Sequence, residues 1–198
     1  MYDCAALTSP VTDLADLDAL TLGRAQRGDA AAFRALVERY HRPVFALLWR
    51  MLEASHSRQD LEDLTQETFL RVFRALPRFE PDGPARLSSW ILTIASRLAL
   101  NARRDARKGH LSLERVELPA EERADSGLRQ QRLARRLRDA IQALPPERRV
   151  VLLLRQYHGL SYQEIAAATG TDLGTVKSRL SRAREEVDRA IQEERADD

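Results

Sequence analysis

Apolar residues in this chain recur at three- and four-residue intervals almost throughout, while strict alternation over the length of a strand is hard to find. That spacing lines side chains along one face of a helix, so the chain is predicted to be all-α. Phe33, Leu36, Val37 and Tyr40 make one such face, and after Pro43 an apolar segment runs from Val44 to Leu52. Phe69, Val72, Phe73 and Leu76 stand at i, i+3, i+4 and i+7, and Pro77 ends that helix. Phe79 to Ala85 holds Pro81, Gly83 and Pro84 and reads as a loop. The next helix is expected to start near Ser88 or Ser89, whose hydroxyls suit an N-cap, and to bury Ile91, Ile94, Ala95, Leu98 and Ala102.

The pattern fades between Arg107 and Gly127 and resumes with Leu133, Leu137, Ala140, Ile141 and Leu144. It stops at Pro145 and Pro146, restarts through Val150 to Leu154, and breaks at Gly159. The expected organisation is two small helical domains on a flexible linker: an N-terminal extension at 1–22, a first domain at 23–107, a linker at 108–128 and a second domain at 129–198. A single cysteine, Cys4, excludes a disulfide framework, a Cys-based zinc site and an iron–sulfur cluster. His41, His56, His110 and His158 form no zinc-type cluster, and the 8 glycines include no phosphate-cradling loop after a strand. The run Val150 to Leu154 is far too short for a membrane span, and Asp3, Asp13, Asp16 and Asp18 replace the basic lead of a signal peptide. A cytoplasmic chain without membrane insertion, cofactor or catalytic residue is expected.

Ser161 and Glu164 have capping-box spacing, Gly170 suits the left-handed position that ends a helix, and Asp172 can cap the following one. This is the layout of a helix-turn-helix. Along the second helix Val176, Leu180, Ala183 and Val187 share a narrow inward stripe. Gly174, Ser178, Ser181, Arg182 and Glu185 lie opposite, with Thr175, Lys177 and Arg179 on the flanks. Short hydroxylated residues beside Arg and Lys admit close approach to a major groove, where Arg bonds guanine bidentately. A solvated basic face on a packing helix is the alternative, and the cap, turn and sorted faces together favour DNA.

In the first domain Asp60, Asp63 and Glu67 share a helical face turned away from the apolar stripe. Such a cluster fits either a divalent metal or a docking face for a basic partner; Arg71 and Arg74 on the same side, and the want of a second ligand-bearing helix, favour docking. Thr93, Arg97, Asn101 and Arg104 line one side of the helix from Ser89, with Trp90 beside them. From Arg97 to His110 there are five cations against Asp105 alone, and rings among cations are what unpaired bases need. Trp90 is read either as such a ring or as a core residue at the start of the helix. The 32 basic and 30 acidic residues that leave a formal charge of +2 thus separate into an acidic stretch at Glu53 to Glu67 and basic stretches at Arg97 to His110 and Lys177 to Arg184.

Three segments, DLTQETFLRVFRAL from Asp63, SWILTIASRLALNARR from Ser89, and LPPERRVVLLLRQYHGLSYQEIA followed by GTVKSRLSRAR between Leu144 and Arg184, carry a family likeness. Together they resemble the extracytoplasmic-function (ECF) group of bacterial sigma factors over about Phe33 to Arg189. The resemblance implies a region-two module followed by region four, with no catalytic residue. It implies that Asp63, Gln66 and Glu67 dock on the clamp helices of the largest subunit of core RNA polymerase. The loop from Phe79 to Arg86 and the helix with Trp90, Arg97, Asn101 and Arg104 would read and open the promoter's minus-ten element. Thr175, Lys177, Ser178, Arg179, Ser181 and Arg182 would face the minus-thirty-five element as duplex, and control would come from an anti-sigma factor. Residues Met1 to Leu20 carry no motif of the family, and Glu53 to Ser57 is slightly expanded. Two rivals are a stand-alone dimeric helix-turn-helix regulator and a metal-dependent hydrolase built on Asp60, Asp63 and Glu67.

Overall fold

The computed structural model describes residues 16–53, 55–108 and 127–196, all of whose regular structure is helical. Residues 109–126 of the expected 108–128 linker, Cys4 and most of the N-terminal extension lie outside the described residues, while 108, 127 and 128 are helical. The first domain contains α1 (Ala19–Gln26), α2 (Ala30–Leu52), α3 (Arg58–Ala75), a 3-10 turn (Leu76–Arg78) and α4 (Leu87–Lys108). The second contains α5 (Gly127–Ala143), α6 (Pro146–Gln156), α7 (Tyr162–Thr169) and α8 (Leu173–Ala196).

The first three helices of this domain start where a short polar side chain can serve the orphan backbone donors of the first turn. Asp18 accepts from the Thr21 N–H, Asp29 from those of Ala31 and Ala32, and Ser57 forms a reciprocal capping box with Asp60. Helix α2 is the axis, packing on α1, α3 and α4, and Leu36, Val44, Leu47, Leu48, Met51 and Leu52 along it are wholly shut from solvent.

Helix α2 runs unbroken through Pro43, because the ring is buried and the segments on both sides have their apolar faces held by the same core. Two expectations need correction. The boundary expected between 22 and 23 falls inside α1, whose Leu22 and Ala25 are core residues. Helix α4 is entered at Arg86, whose carbonyl accepts from Trp90 N–H; Ser88 and Ser89 are therefore inside its first turn and buried.

In the second domain α8 crosses α5, α6 and α7, with Val176, Leu180, Ala183 and Val187 inward as the spacing predicts. Two groups here are buried against the usual preference of their type. The Arg149 guanidinium, fully enclosed, donates to the carbonyl oxygens of Gln142, Leu144 and Met51 and to the Gln142 side chain. Its contact with Met51 joins the second domain to the end of α2. Burial and the nearby Arg103 lower its pKa to about 10, which leaves it charged at neutral pH.

His158 is enclosed with neither ring nitrogen hydrogen-bonded, and burial followed by the charge of Arg50 pushes its pKa down to about 3. An unfolded chain takes up this proton near pH 6.5, whereas the folded one refuses it until about pH 3. Stability is therefore expected to fall as pH drops through that window, at up to about 1.4 kcal/mol per pH unit. Urea unfolding at pH 7 and pH 5 measures the slope, and His158→Leu should remove close to one proton from it.

Candidate nucleic-acid and docking surfaces

The helix-turn-helix is built as its sequence predicts. Ser161 accepts from the Glu164 N–H while the Glu164 carboxylate receives the Ser161 N–H. Gly170 closes α7 at φ 65°, in the left-handed region where a side chain would be strained. Asp172 then holds both the N–H and the hydroxyl of Thr175 at 2.8 and 2.6 Å. The Thr175 hydroxyl is thus committed to the start of α8, and Arg179 is half-buried, whereas Lys177, Ser178, Ser181 and Arg182 stand exposed along the outer face. Ser181 leans to Glu185 at 2.7 Å, leaving Lys177 and Arg182 as the cations that project most freely.

On α3 the acidic residues separate in role. Asp60 is taken up by the capping box, and its bonds from the Ser57 hydroxyl and N–H hold its pKa below the ordinary value. Glu67 pairs with Arg71 at 2.7 Å, Asp63 accepts from Gln59 at 3.1 Å, and both carboxylates remain open to solvent beside the exposed Gln66. His56, Asp60, Asp63, Leu64, Glu67 and Ala102 line a shallow hollow between α3 and α4. Among the described residues no three His, Cys, Asp or Glu side chains converge as metal ligands would.

The same helix carries a feature that the apolar spacing misassigned. Phe73, expected in the core, is 50% exposed and meets Phe33 edge-on, with ring centres 5.0 Å apart; Leu70 is exposed equally. Asp63, Gln66, Leu70 and Phe73, at steps of three, four and three, form one solvent-facing stripe that is acidic at one end and apolar at the other. Large apolar side chains grouped on a polar face mark interaction surfaces.

The expected strand-reading residues gather on α4, with two qualifications. Phe79 is buried and packs against Trp90, ring centres 5.0 Å apart, so it props the half-buried indole instead of offering a ring of its own. Arg97 is exposed, yet its guanidinium donates to the carbonyls of Ala167 and Ala168 at the end of α7, at 2.9 and 3.3 Å. Asn101 and Arg104 are exposed and bonded to each other at 2.5 Å. No described helix is long and apolar enough to cross a membrane.

Comparison with known proteins places both domains. Residues 36–109 match Sigma-70 region 2, and residues 134–187 match Sigma-70, region 4. The RNA polymerase sigma-H factor of Pseudomonas aeruginosa is 35% identical over 185 residues, covering 85% of this chain and 91% of that protein. The ECF RNA polymerase sigma-E factor of Escherichia coli is 33% identical over 188 residues, covering 88% of this chain and 94% of that one. Among solved structures, CnrH in complex with the cytosolic domain of CnrY is similar with a TM-score of 0.58 and 25% identity, over 87% of this chain and 96% of that one. The sigma factor RpoE of Bartonella quintana, solved with the anti-sigma factor NepR, shares the fold with a TM-score of 0.63 and 23% identity, over 81% and 96%.

Proposed function

The chain belongs to the extracytoplasmic-function sigma factors, and on that premise we propose how its surfaces divide the work of promoter recognition. Membership makes it a subunit that binds core RNA polymerase and directs transcription, not an enzyme. Asp63, Gln66 and Glu67 dock on the clamp helices of the largest polymerase subunit, and the exposed Leu70 and Phe73 continue that contact with apolar area. Lys177, Ser178, Ser181 and Arg182, with Thr175 and Arg179 at their flanks, enter the major groove of the minus-thirty-five element. Trp90, Arg97, Asn101 and Arg104 take up the unpaired minus-ten strand, with Phe79 fixing the indole from behind. Unstacking a base step costs a few kcal/mol, and stacking on a protein ring returns about 1–3 kcal/mol per base.

The observation that carries this reading is the placement of an open acidic face on α3 and an open basic face on α8 in separate domains of one chain. A stand-alone repressor has no use for the first of these. The chain works in the cytoplasm under an anti-sigma factor, in keeping with its resemblance, over most of its length, to the factors solved with CnrY and with the anti-sigma factor NepR. The test is promoter-specific transcription from a cognate template on addition of the chain to core polymerase; no stimulation would refute the assignment. Glu67→Lys breaks only an exposed ion pair, so folding should be little changed, while affinity for core polymerase should drop about tenfold or more. Equal capture of both forms on immobilised core enzyme would remove Glu67 from the docking face.

A further inference from the structure

The three hydroxyl groups on α8 have all spent their protons inside the protein. Thr175 Oγ1 lies 2.6 Å from Asp172 Oδ2, Ser178 Oγ 3.0 Å from the Thr175 carbonyl oxygen, and Ser181 Oγ 2.7 Å from Glu185 Oε1. A carboxylate or carbonyl oxygen can only accept, so in each pair the hydroxyl donates. A hydroxyl has one proton and two lone pairs, and here only lone pairs are left for an outside partner. The three residues follow one another at steps of three beside the exposed Lys177 and Arg182, whose side chains can only donate. The outer face therefore sorts its roles, with cations giving hydrogen bonds and hydroxyls receiving them.

The commitment is firmest at Thr175. Its bond to Asp172 is short and charge-assisted, and the same carboxylate takes the Thr175 N–H at 2.8 Å, so capping α8 holds the acceptor in place. The bonds from the Thr175 hydroxyl and N–H keep the Asp172 carboxyl below its ordinary pKa, and it is an anion at neutral pH. Ser181 is also held by a carboxylate, that of Glu185 one turn on, whereas Ser178 gives its proton to a neutral carbonyl and is the loosest of the three.

This polarity restricts what the hydroxyls can meet in a major groove. Guanine offers N7 and O6 and thymine offers O4, all acceptors, whereas cytosine N4 and adenine N6 carry amino donors. Phosphate oxygens also accept, so a hydroxyl without a spare proton gains nothing from the DNA backbone. The amino group of adenine or cytosine is the partner that remains.

We propose that Asp172 fixes the polarity of Thr175, and Glu185 that of Ser181, so that these hydroxyls select bases bearing an amino group, adenine or cytosine, and reject guanine and thymine on the strand they face. Asp172 and Glu185 are positioning residues in this scheme and set specificity through the hydroxyls they hold. The proposal rests on the reading of α8 as the helix that enters the minus-thirty-five duplex, and it deepens that reading by giving the hydroxyls a class of base.

The test is competition binding by the holoenzyme, assembled with the full chain, on duplexes in which each base pair of the minus-thirty-five element is varied in turn. Thr175→Val keeps the branched shape and removes the hydroxyl, so the base pair whose preference it erases is the one Thr175 reads. In the wild type that pair should favour adenine or cytosine over guanine or thymine by about five- to tenfold, as one hydrogen bond allows. Thr175→Val should level the preference and leave the salt dependence unchanged, since no phosphate contact is lost. Asp172→Asn is the decisive variant. Asparagine caps a helix as well as aspartate, yet its amide can accept from the Thr175 N–H while turning its NH2 to Thr175 Oγ1, which releases the hydroxyl proton toward the base. The preference at the same pair should then relax by about threefold or more toward guanine or thymine. Glu185→Ala repeats the test at the pair identified by Ser181→Ala and disturbs no helix cap.

A wild-type preference for guanine or thymine at the Thr175 pair would overturn the proposal, as would preferences that Asp172→Asn and Glu185→Ala both leave unmoved. It also falls if Thr175→Val and Ser181→Ala alter no base preference while Arg182→Ala still weakens the duplex, for the hydroxyls are then bystanders on a helix that does read DNA. If Arg182→Ala is without effect as well, α8 is not the reading helix and the wider assignment falls with the proposal.

Discussion

Arg149→Ala is expected to lower the stability of the chain by about 3–5 kcal/mol, a loss on the order of 10 °C in melting temperature for a protein of this size. Three buried carbonyls and the Gln142 side chain take their donors from this one guanidinium. Alanine leaves them without partners and opens a cavity the size of the lost side chain, and each orphaned group costs about 1–3 kcal/mol. Arg149→Lys is the informative companion. It preserves the charge but not the planar fork that reaches acceptors in α5, in the turn after it and at the end of α2, so it should recover less than half of the loss. Full recovery by lysine in a thermal melt would show that charge, not geometry, is what the site requires.

The second large effect is expected at the DNA. Arg182→Ala should weaken binding to the minus-thirty-five duplex by about 1–3 kcal/mol, or roughly 5- to 150-fold, if the exposed guanidinium forms a bidentate bond to a base. Affinity for core polymerase should be unchanged, because Arg182 lies on the outer face of α8 and the docking residues are on α3. Anisotropy of the holoenzyme on cognate and scrambled duplexes separates two roles. A base contact costs discrimination between the sequences, whereas a phosphate contact weakens both alike and reduces the salt dependence. Loss of polymerase binding in step with DNA binding would refute the division of labour.

Much of the second domain could be read in advance because its signals are local. Ser161, Glu164, Gly170 and Asp172 act on backbone groups within a few residues, so spacing alone reports their geometry. What spacing did not reveal depends on contacts between segments distant in sequence. Pro43 signals a break by its own chemistry, and only the shared core beneath its two flanks keeps α2 whole. Phe73 has the spacing of a core residue, yet half of it stays open to solvent beside Phe33. Arg149 reads as one charge in a charged run, although it stands three and four residues before Leu152 and Leu153 on the inward side of α6, a signal that angle alone could have raised. The occupation of Arg97 by α7 has no local signature, since its partners lie about 70 residues away.

Gln26, at the end of α1, donates its side-chain amide to the carbonyls of Leu76 and Phe79 at 3.1 and 2.7 Å. It lies before the stretch that matches Sigma-70 region 2. Phe79, whose backbone it pins, supports Trp90 through its ring. The posture of the indole is therefore inherited mechanically, through three links, from a helix that bears no motif. A chain trimmed to the recognisable family segment would keep every residue proposed to meet DNA and lose the strut that aims one of them.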